Sequence, residues 1–194
     1  MTRAAVLRSS TYRRMPWKNG GGETTEIAVS PQGAALSDFD WRVSMATVET
    51  DGPFSIFTGV DRTLAILEGN GMSLTIDDNA PVLLKQDSAP LAFPADVAVA
   101  ATLAEGPITD LNVMTRRNGL RHWVERVDVD STATVHPAAP TWFLLCHQGT
   151  LTVEWSGEHA DLGPKDALFL QGAKGKDVVV SGKACCFLIS IDPI

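Results

Sequence analysis

The fold class is decided by the stretch Leu64-Ala65-Ile66-Leu67-Glu68-Gly69-Asn70-Gly71-Met72-Ser73-Leu74-Thr75-Ile76. Two short apolar runs flank a turn-forming segment, and both runs have the length and composition of β-strands. The Asn70-Gly71 pair favours the positive φ angles of a tight turn. The stretch therefore predicts a β-hairpin.

The rest of the chain has the same character. Residues 39–47 alternate strictly, with Phe39, Trp41, Val43 and Met45 on one face and Asp40, Arg42, Ser44 and Ala46 on the other. Further strands are predicted at residues 81–85, 91–93, 97–103 and 111–115. No segment of eleven or more residues has a clean helical period, so the fold is predicted to be all-β.

The second half of the chain repeats the first half in outline. Residues 142–153 align with residues 63–74, and Gly149 lies 80 residues after Gly69. Asp166 lies 79 residues after Asp87 in a second pair of matching segments. The similar spacing indicates a duplication whose junction is Arg116-Arg117-Asn118-Gly119, and we predict domains at residues 1–117 and 118–194. Each unit must close into a barrel or sandwich to protect its strand edges.

Composition narrows the function classes. The 194 residues carry 16 Lys and Arg against 23 Asp and Glu, a net charge of −7, which argues against a nucleic-acid or anionic-membrane surface. The sequence shows no secretory signal and no apolar run of membrane-spanning length. The three cysteines, Cys146, Cys185 and Cys186, lack both a disulfide framework and zinc-type spacing. A reducing cytoplasm is the expected location.

An apolar strand, a Glu-Gly turn, a second strand, and then a turn with Asp before a strand ending in Phe-Pro is similar to the cupin outline. More specifically, the chain resembles the HutD/Ves family of bicupins, through residues 14–25, 41–46, 54–62 and 110–116. These segments run across the first half, whereas the second half matches only as a degenerate cupin. The resemblance implies two cupin-like β-barrels in one chain, each an RmlC-like jelly roll, with a ligand pocket in the first.

A metal centre is not expected in either half. A cupin metal site needs two His at i and i+2, a Glu shortly after, and a later His. The four histidines, His122, His136, His147 and His159, all lie in the second half, and none is paired in that way. The first-half motif position holds Val60-Asp61-Arg62, where an Arg would repel a cation. We predict no metal and no other cofactor.

The glycine-rich segment Lys18-Asn19-Gly20-Gly21-Gly22-Glu23-Thr24 is a candidate anion site. Successive glycines let a ligand approach the main chain closely, and backbone N–H groups, the Lys18 ammonium and the Asn19 amide suit a carboxylate. The alternative is an entry loop with its Lys in water. With the family resemblance we favour ligand binding, assigned to Lys18, Asn19, Gly21, Gly22, Glu23 and Thr24.

Arg42 and Ser44 lie opposite the apolar face of their strand, which leaves three alternatives open. They are exposed if the apolar face forms the core, and they face the ligand if the barrel interior is polar. An ion pair of Arg42 with Asp61 or Glu23 is the third alternative.

Asp61 and Arg62 replace the cupin metal ligands, so they are predicted to bind a polar or anionic molecule. The alternative for them is a turn with a surface salt bridge, which contributes little. Asn112 is the preferred cavity residue of the last strand of the first half.

The resemblance implies a cytoplasmic protein associated with histidine utilisation that binds a small molecule in a regulatory role. The cationic and amide donors suit a small carboxylate, with formylglutamate or urocanate as candidates. The competing class is a metal-independent cupin isomerase or hydrolase using Glu23, Asp61 or Lys18; no catalytic residue is assigned. The second barrel is expected to be structural, covering a sheet edge or a partner surface, and a homodimer is among the expected assemblies.

Overall fold

The computed structural model describes residues 3–194, which form a single 3-10 turn, Ser9–Thr11, and seventeen β-strands. The strands are β1 (Arg3–Leu7), β2 (Arg13–Pro16), β3 (Gly22–Ser30), β4 (Trp41–Val48), β5 (Gly52–Pro53), β6 (Val60–Glu68), β7 (Met72–Ile76), β8 (Val82–Leu84), β9 (Leu91–Pro94), β10 (Val99–Leu103), β11 (Ile108–Arg116), β12 (Leu120–Val129), β13 (Thr132–Val135), β14 (Thr141–Trp155), β15 (Glu158–Leu162), β16 (Ala167–Gln171) and β17 (Val178–Pro193). The all-β prediction is confirmed. No helix within residues 3–194 has the length and apolar character needed to cross a membrane.

The described chain divides into two compact units. The first unit is Arg13–Arg121 together with Ile194, and the second unit contains residues 3–12 and His122–Pro193. The first unit therefore begins at Arg13 rather than at residue 1, and its main segment ends at Arg121 rather than at residue 117. Strand β1 pairs antiparallel with β16, from Arg3 opposite Gln171 to Leu7 opposite Ala167, so the chain begins in the second unit.

The start of the chain is anchored in the second unit by an ion pair as well as by strand pairing. The guanidinium of Arg8 donates to the Asp166 carboxylate over 2.7 Å, and the Ser9 backbone N–H donates to the other oxygen of Asp166 over 2.8 Å. Asp166 is the residue that the sequence repeat aligned with Asp87. In the structure Asp166 holds Arg8 and Ser9, the residues that follow β1, against the second unit.

The first unit is a sandwich of two sheets. Its six-stranded sheet has the order β2-β3-β4-β11-β6-β9, and its four-stranded sheet has the order β5-β10-β7-β8. Apolar side chains from both sheets form one buried core, among them Ala46, Leu64, Ile66, Met72, Leu74 and Ala101. The inner face of the six-stranded sheet therefore decides what lies inside this unit.

The predicted hairpin at residues 64–76 is wrong, although both strands and the turn are present. Strand β6 pairs with β9 and β11, whereas β7 pairs with β8 and β10 in the other sheet. Gly69 and Gly71 take φ angles of +93° and +112°, and a Cβ on Gly69 would lie 2.5 Å from the Pro107 carbonyl oxygen. The turn carries the chain from one sheet to the other because the apolar faces of β6 and β7 pack against each other across the core.

The second unit is built on one seven-stranded sheet, with β1-β16-β14-β17-β12 as its main path, β13 on β17 and β15 on β14. The continuous strand β14 occupies the place of β6 and β7. The repeat persists in the backbone: Gly149 has φ +83°, and its Cβ would meet the Lys183 carbonyl oxygen at 2.1 Å. Register shifts beside this turn leave Leu67 and His147 as the bulged residues of the two units.

The sheet-switching turn gives a testable prediction about stability. An Ala at position 69 must keep a left-handed φ and also displace the Pro107 carbonyl, whereas an Ala at Gly106 (φ +69°) meets no atom within 4 Å. We expect Gly69→Ala to lower the free energy of unfolding by roughly 1–3 kcal/mol more than Gly106→Ala. Urea unfolding of both variants measures the difference; equal losses would show that the close approach is not needed.

Candidate functional site

A cavity of about 620 Å³ lies within the first unit. Its walls come from the inner faces of β4, β6 and β11, from the segment before β3, and from the loop that contains Phe54. The cavity continues the apolar core of the sandwich toward the end of the sheet where polar side chains replace aliphatic ones. Its volume is typical of a site for a small organic molecule.

The polar side chains reach the cavity because of the register of three adjacent strands. Strand β11 lies between β4 and β6, and alternate residues of each strand point to the same face. The cross-strand rows on that face are Arg42–Met114–Arg62, Ser44–Asn112–Leu64 and Ala46–Asp110–Ile66. The two arginines thus lie on either side of Met114, with Asn112 and Asp110 in the next two rows of the same strand.

Arg62, Asn112 and Asp110 form a hydrogen-bonded chain. Arg62 donates from Nε to Asn112 Oδ1 over 2.7 Å, and its Nη2 donates to the same oxygen. The amide nitrogen of Asn112 in turn donates to Asp110 Oδ1. Because Asn112 is buried and uses both ends of its amide in this way, it holds the guanidinium and the carboxyl in fixed positions.

Burial dominates the electrostatics of Asp110. The side chain is 1% exposed, and its second carboxyl oxygen, Oδ2, is buried without a hydrogen-bond partner. Desolvation raises the pKa of Asp110 to about 7, against smaller opposing effects of Arg62, the Asn112 hydrogen bond and the Ala46 backbone N–H. The same desolvation lowers the pKa of Arg62 to about 10, which leaves it a cation at neutral pH.

Arg42 is the second cation of the cavity, and it is buried. Its side chain is only 6% exposed, and Nε donates to Glu26 Oε2 over 2.9 Å. Within residues 3–194 its two Nη atoms have no hydrogen-bond partner, and neither has Nη1 of Arg62. These donors are directed by a fixed side chain but are not satisfied by the protein.

Aromatic side chains complete the walls. The guanidinium of Arg62 lies over the Phe54 ring, 4.4 Å from its centroid, and 5.9 Å from the centroid of Phe93. Trp17 also lines the cavity, with its Nε1–H donating to Thr24 Oγ1 over 2.8 Å. Thr24 is therefore both a cavity residue and the support for an aromatic wall.

Seven of the residues predicted as ligand-binding line this cavity: Lys18, Asn19, Thr24, Arg42, Ser44, Arg62 and Asn112. Lys18 and Asn19 are exposed at its edge, and the Asn19 side chain accepts the Gly21 backbone N–H over 3.0 Å. Of the three alternatives for Arg42, it takes the one that faces the interior. It also forms an ion pair, but with Glu26 rather than with Asp61 or Glu23.

Four predicted residues lie outside the cavity: Gly21, Gly22, Glu23 and Asp61. Gly22 instead permits close packing, since a Cβ there would lie 2.1 Å from the Thr47 carbonyl oxygen. Glu23 lies 3.7 Å from Arg14 in an exposed ion pair. Asp61 points to the opposite face of β6 from Arg62 and binds Arg117 over 2.7 Å. Strand alternation thus separates two residues that the sequence analysis placed together.

Asp110 is the functional candidate that sequence analysis missed. The last strand of the first half was predicted to begin at residue 111, but β11 begins at Ile108 and extends through Asp110. The alternation Asp110-x-Asn112-x-Met114 was the available signal, because it places all three on one face. Trp17 and Phe54 were also missed, and nothing in their local sequence distinguishes them from core aromatics.

The second unit has no matching polar cluster at the equivalent positions. Counted from the bulged residues Leu67 and His147, which shifts the sequence alignment by one residue, the counterparts of Arg62, Asn112 and Asp110 are Trp142, Leu188 and Cys186. Trp142 and Cys186 belong to the buried core of that unit, and Leu188 packs against it. A surface depression of about 410 Å³ in the second unit has an acidic rim, including Glu154, Glu158 and Asp177, which does not suit a carboxylate.

Metal-ligating residues do not converge on the cavity. Among residues 3–194 no group of three or more His, Cys, Asp or Glu side chains is placed to hold a metal ion. The four histidines belong to the second unit. The polar groups that characterise the cavity are therefore its arginines and Lys18, the side-chain amides of Asn19 and Asn112, and the Asp110 carboxyl.

Comparison with known proteins gives consistent matches. A family model described as HutD matches residues 9–188. The chain is 35% identical over 174 residues to an uncharacterized 21.2 kDa protein in the hutC 3′ region of Pseudomonas putida, covering 89% of each chain. It is 42% identical over 120 residues to protein Ves of Citrobacter koseri, covering 60% of this chain and 61% of that protein.

Solved structures agree with these sequence matches. HutD from Pseudomonas fluorescens SBW25 superposes with a TM-score of 0.84 at 34% identity, covering 99% of this chain and 100% of that one. A cupin 2 conserved barrel domain protein from Leptotrichia buccalis superposes with a TM-score of 0.58 at 10% identity, covering 87% and 88%. The second likeness concerns the fold alone, and it confirms the predicted cupin class.

The buried carboxyl predicts a pH-dependent stability. Burial raises the pKa of Asp110 from 3.8 to about 7, so the folded protein retains a proton that the unfolded chain has released between those values. The free energy of unfolding should therefore lose a contribution as pH rises through this window and level off above it. Urea unfolding at pH 5 to 8 should show this loss in the wild type and not in Asp110→Asn. Asp51→Asn, at an exposed cavity residue, is the control and should follow the wild type; parallel curves for all three proteins would contradict the assignment.

Proposed function

Because the chain belongs to the HutD family, we propose that its first unit binds a small carboxylate metabolite in the cavity and serves a regulatory role in histidine utilisation. The Pseudomonas putida relative is named for its position beside hutC, which supports the association with that locus. The ligand itself is inferred from the cavity. The single observation that carries it is the pair of arginines in the cavity wall, Arg42 buried and Arg62 partly buried, with unused donors.

The donor set fits a carboxylate in both charge and shape. Arg42 and Arg62 bring two positive charges, of which Glu26 offsets one directly. Their unused Nη donors match the two oxygens of a carboxylate, which a planar guanidinium can bind through two parallel hydrogen bonds. Since both side chains are held in place by Glu26 and Asn112, little conformational entropy is lost on binding.

The remaining walls favour a short organic acid over an inorganic anion. Phe54, Trp17 and Met114 supply apolar surface beside the cations, while Ser44 and Asn19 supply polar contacts. Lys18 at the exposed edge is placed to meet a second acidic group. Formylglutamate, with two carboxylates, and urocanate, with one carboxylate and a flat ring, are the candidates that we propose.

The remaining parts of the proposal concern location and partners. We place the protein in the cytoplasm, which is supported by the three free cysteines, two of them buried. We propose no metal or cofactor, no nucleic-acid or membrane partner, and a structural role for the second unit, with a homodimer among the possible assemblies.

A second candidate function is a metal-independent enzyme acting on a small acid, either an isomerase or a hydrolase. The observation that favours it is Asp110, a cavity carboxyl whose pKa of about 7 suits proton transfer at neutral pH. Of the residues first considered for that role, Lys18 lines the cavity, whereas Glu23 and Asp61 do not.

The binding proposal is tested by a thermal-shift screen with formylglutamate and urocanate. At a hundredfold excess over Kd, a ligand stabilises the folded state by roughly 2.7 kcal/mol, or roughly 5–10 °C for a chain of this size. Arg42→Ala, Arg62→Gln and Lys18→Ala should each abolish or reduce that shift while the unliganded variants remain folded. Arg117→Ala is the matched control, because Arg117 pairs with Asp61 and Asp96 away from the cavity. Normal binding by both Arg42→Ala and Arg62→Gln would refute the site.

The enzyme alternative is tested by incubating purified protein with the same two acids and following their consumption by chromatography. Turnover that is lost in Asp110→Asn but kept in Asp61→Asn would establish it, since only Asp110 lies in the cavity. Binding without any turnover supports the regulatory proposal.

A further inference from the structure

One oxygen of a carboxyl group in the cavity has no partner. Asp110 Oδ1 accepts the Asn112 amide N–H, while Asp110 Oδ2 is buried without a hydrogen bond. The residue nevertheless lines the same cavity as the two arginines. A buried, half-satisfied carboxylate is costly, so the site favours a state in which Oδ2 carries a proton.

The charged groups around Asp110 come from each neighbouring element. Arg42 lies on β4 and Arg62 on β6, the two strands that flank β11, and Glu26 on β3 pairs with Arg42. Lys18 and Asp51 are exposed residues of the cavity lining, and Asn112 is the polar neighbour on β11 itself. With Asp110 ionised, two carboxylates balance the two arginines. With Asp110 neutral, the arginines carry one uncompensated positive charge.

We propose that a carboxylate binds in the cavity while Asp110 is neutral, so that at alkaline pH, where Asp110 is ionised in the empty cavity, one proton is taken up from solvent with each molecule of acid. This inference rests on the proposed function, because it needs a carboxylate ligand. At alkaline pH the incoming negative charge replaces the negative charge of Asp110, and the net charge of Arg42, Arg62, Glu26, Asp110 and the ligand stays at zero. Burial of an unpaired charge is avoided in both the empty and the occupied state.

The free energy needed to protonate Asp110 is small near neutral pH. The pKa of Asp110 in the empty cavity is about 7, and a second carboxylate nearby raises it further. The neutral form is then the binding-competent form, and its fraction decreases about tenfold per pH unit above 7. The bound acid itself remains ionised throughout, because ordinary carboxylic acids titrate near pH 4. Affinity should therefore decrease as pH rises.

Isothermal titration calorimetry with N-formyl-L-glutamate tests the coupling directly. From pH 6.0 to pH 8.5 the wild-type Kd should increase roughly 30-fold. Titrations at pH 8.0 in two buffers of different ionisation enthalpy should show uptake of close to one proton per ligand. This measurement needs no variant and does not depend on the folding of a mutant.

Variants separate Asp110 from other sources of pH dependence. In Asp110→Asn the Asn112 contact keeps the carbonyl oxygen in place, which leaves an N–H donor where Oδ2 stood and imitates the protonated acid. This variant should bind at pH 8.5 as tightly as the wild type binds at pH 6.0, without proton uptake. Asp51→Asn, the matched control in the same cavity lining, should keep the wild-type pH dependence.

The outcomes distinguish this inference from the proposed function. A wild-type Kd that is constant with pH, without proton uptake, overturns the coupling but leaves carboxylate binding intact. Loss of binding by a folded Asp110→Asn variant at pH 6.0 also overturns it, since Asp110 would then be needed as an acceptor for the ligand. No heat and no thermal shift with the acid at any pH would refute the proposed function, and the coupling with it.

Discussion

Two arginines on the inner face of one β-sheet, Arg42 buried and Arg62 partly buried, impose the constraint on which the first unit depends. Arg42 and Arg62 flank Met114 in a single cross-strand row, so their charges must be balanced from neighbouring rows and strands. Glu26 does this for Arg42 by direct contact, and Asn112 links Arg62 to Asp110. Because Asn112 and Asp110 are buried and Glu26 is partly buried, the cluster stays ordered without a ligand and keeps free donors on its cavity side. An end of the sandwich that could have been filled by aliphatic side chains is thereby kept open and cationic.

The second unit shows how the equivalent interior is filled when, among the described residues, no arginine faces into it. The second unit retains the turn glycine, the bulge beside it and the pairing of the equivalent strands. At the positions of the first unit's Arg62, Asn112 and Asp110 it has Trp142, Leu188 and Cys186, which close the interior by packing. Backbone geometry is therefore shared between the repeats, whereas the contents of each interior follow from a few inward-facing residues.

Sequence analysis could predict what depends on local pattern. Alternation places Arg42 and Ser44 on a common face of β4, the spacing of Gly69 and Gly149 indicates the repeat, and the replacement of cupin metal ligands points to Arg62. The pairing partner of each strand could not be predicted from the sequence, because Asn70-Gly71 fixes a turn but not whether the next strand stays in the same sheet. The charge balance of the cavity could not be predicted either, because only the register of β3, β4, β11 and β6 brings Asp110 and Glu26 close to the arginines. Asp61 could have been placed correctly from alternation alone, since it neighbours an inward-facing residue.

The pairing of β1 with β16 affects how the chain folds during its synthesis on the ribosome. Arg3 pairs with Gln171, which is synthesised 168 residues later, so β1 stays without this partner for on the order of ten seconds at typical elongation rates. Meanwhile Arg13–Arg121 contains all the strands of its own two sheets and can collapse as soon as it emerges. Strand β1 then joins the edge of its sheet only after β16 has been made, and closing so long a loop costs little more than closing one of half the length. An interruption of translation before β16 would leave that edge exposed to other nascent chains.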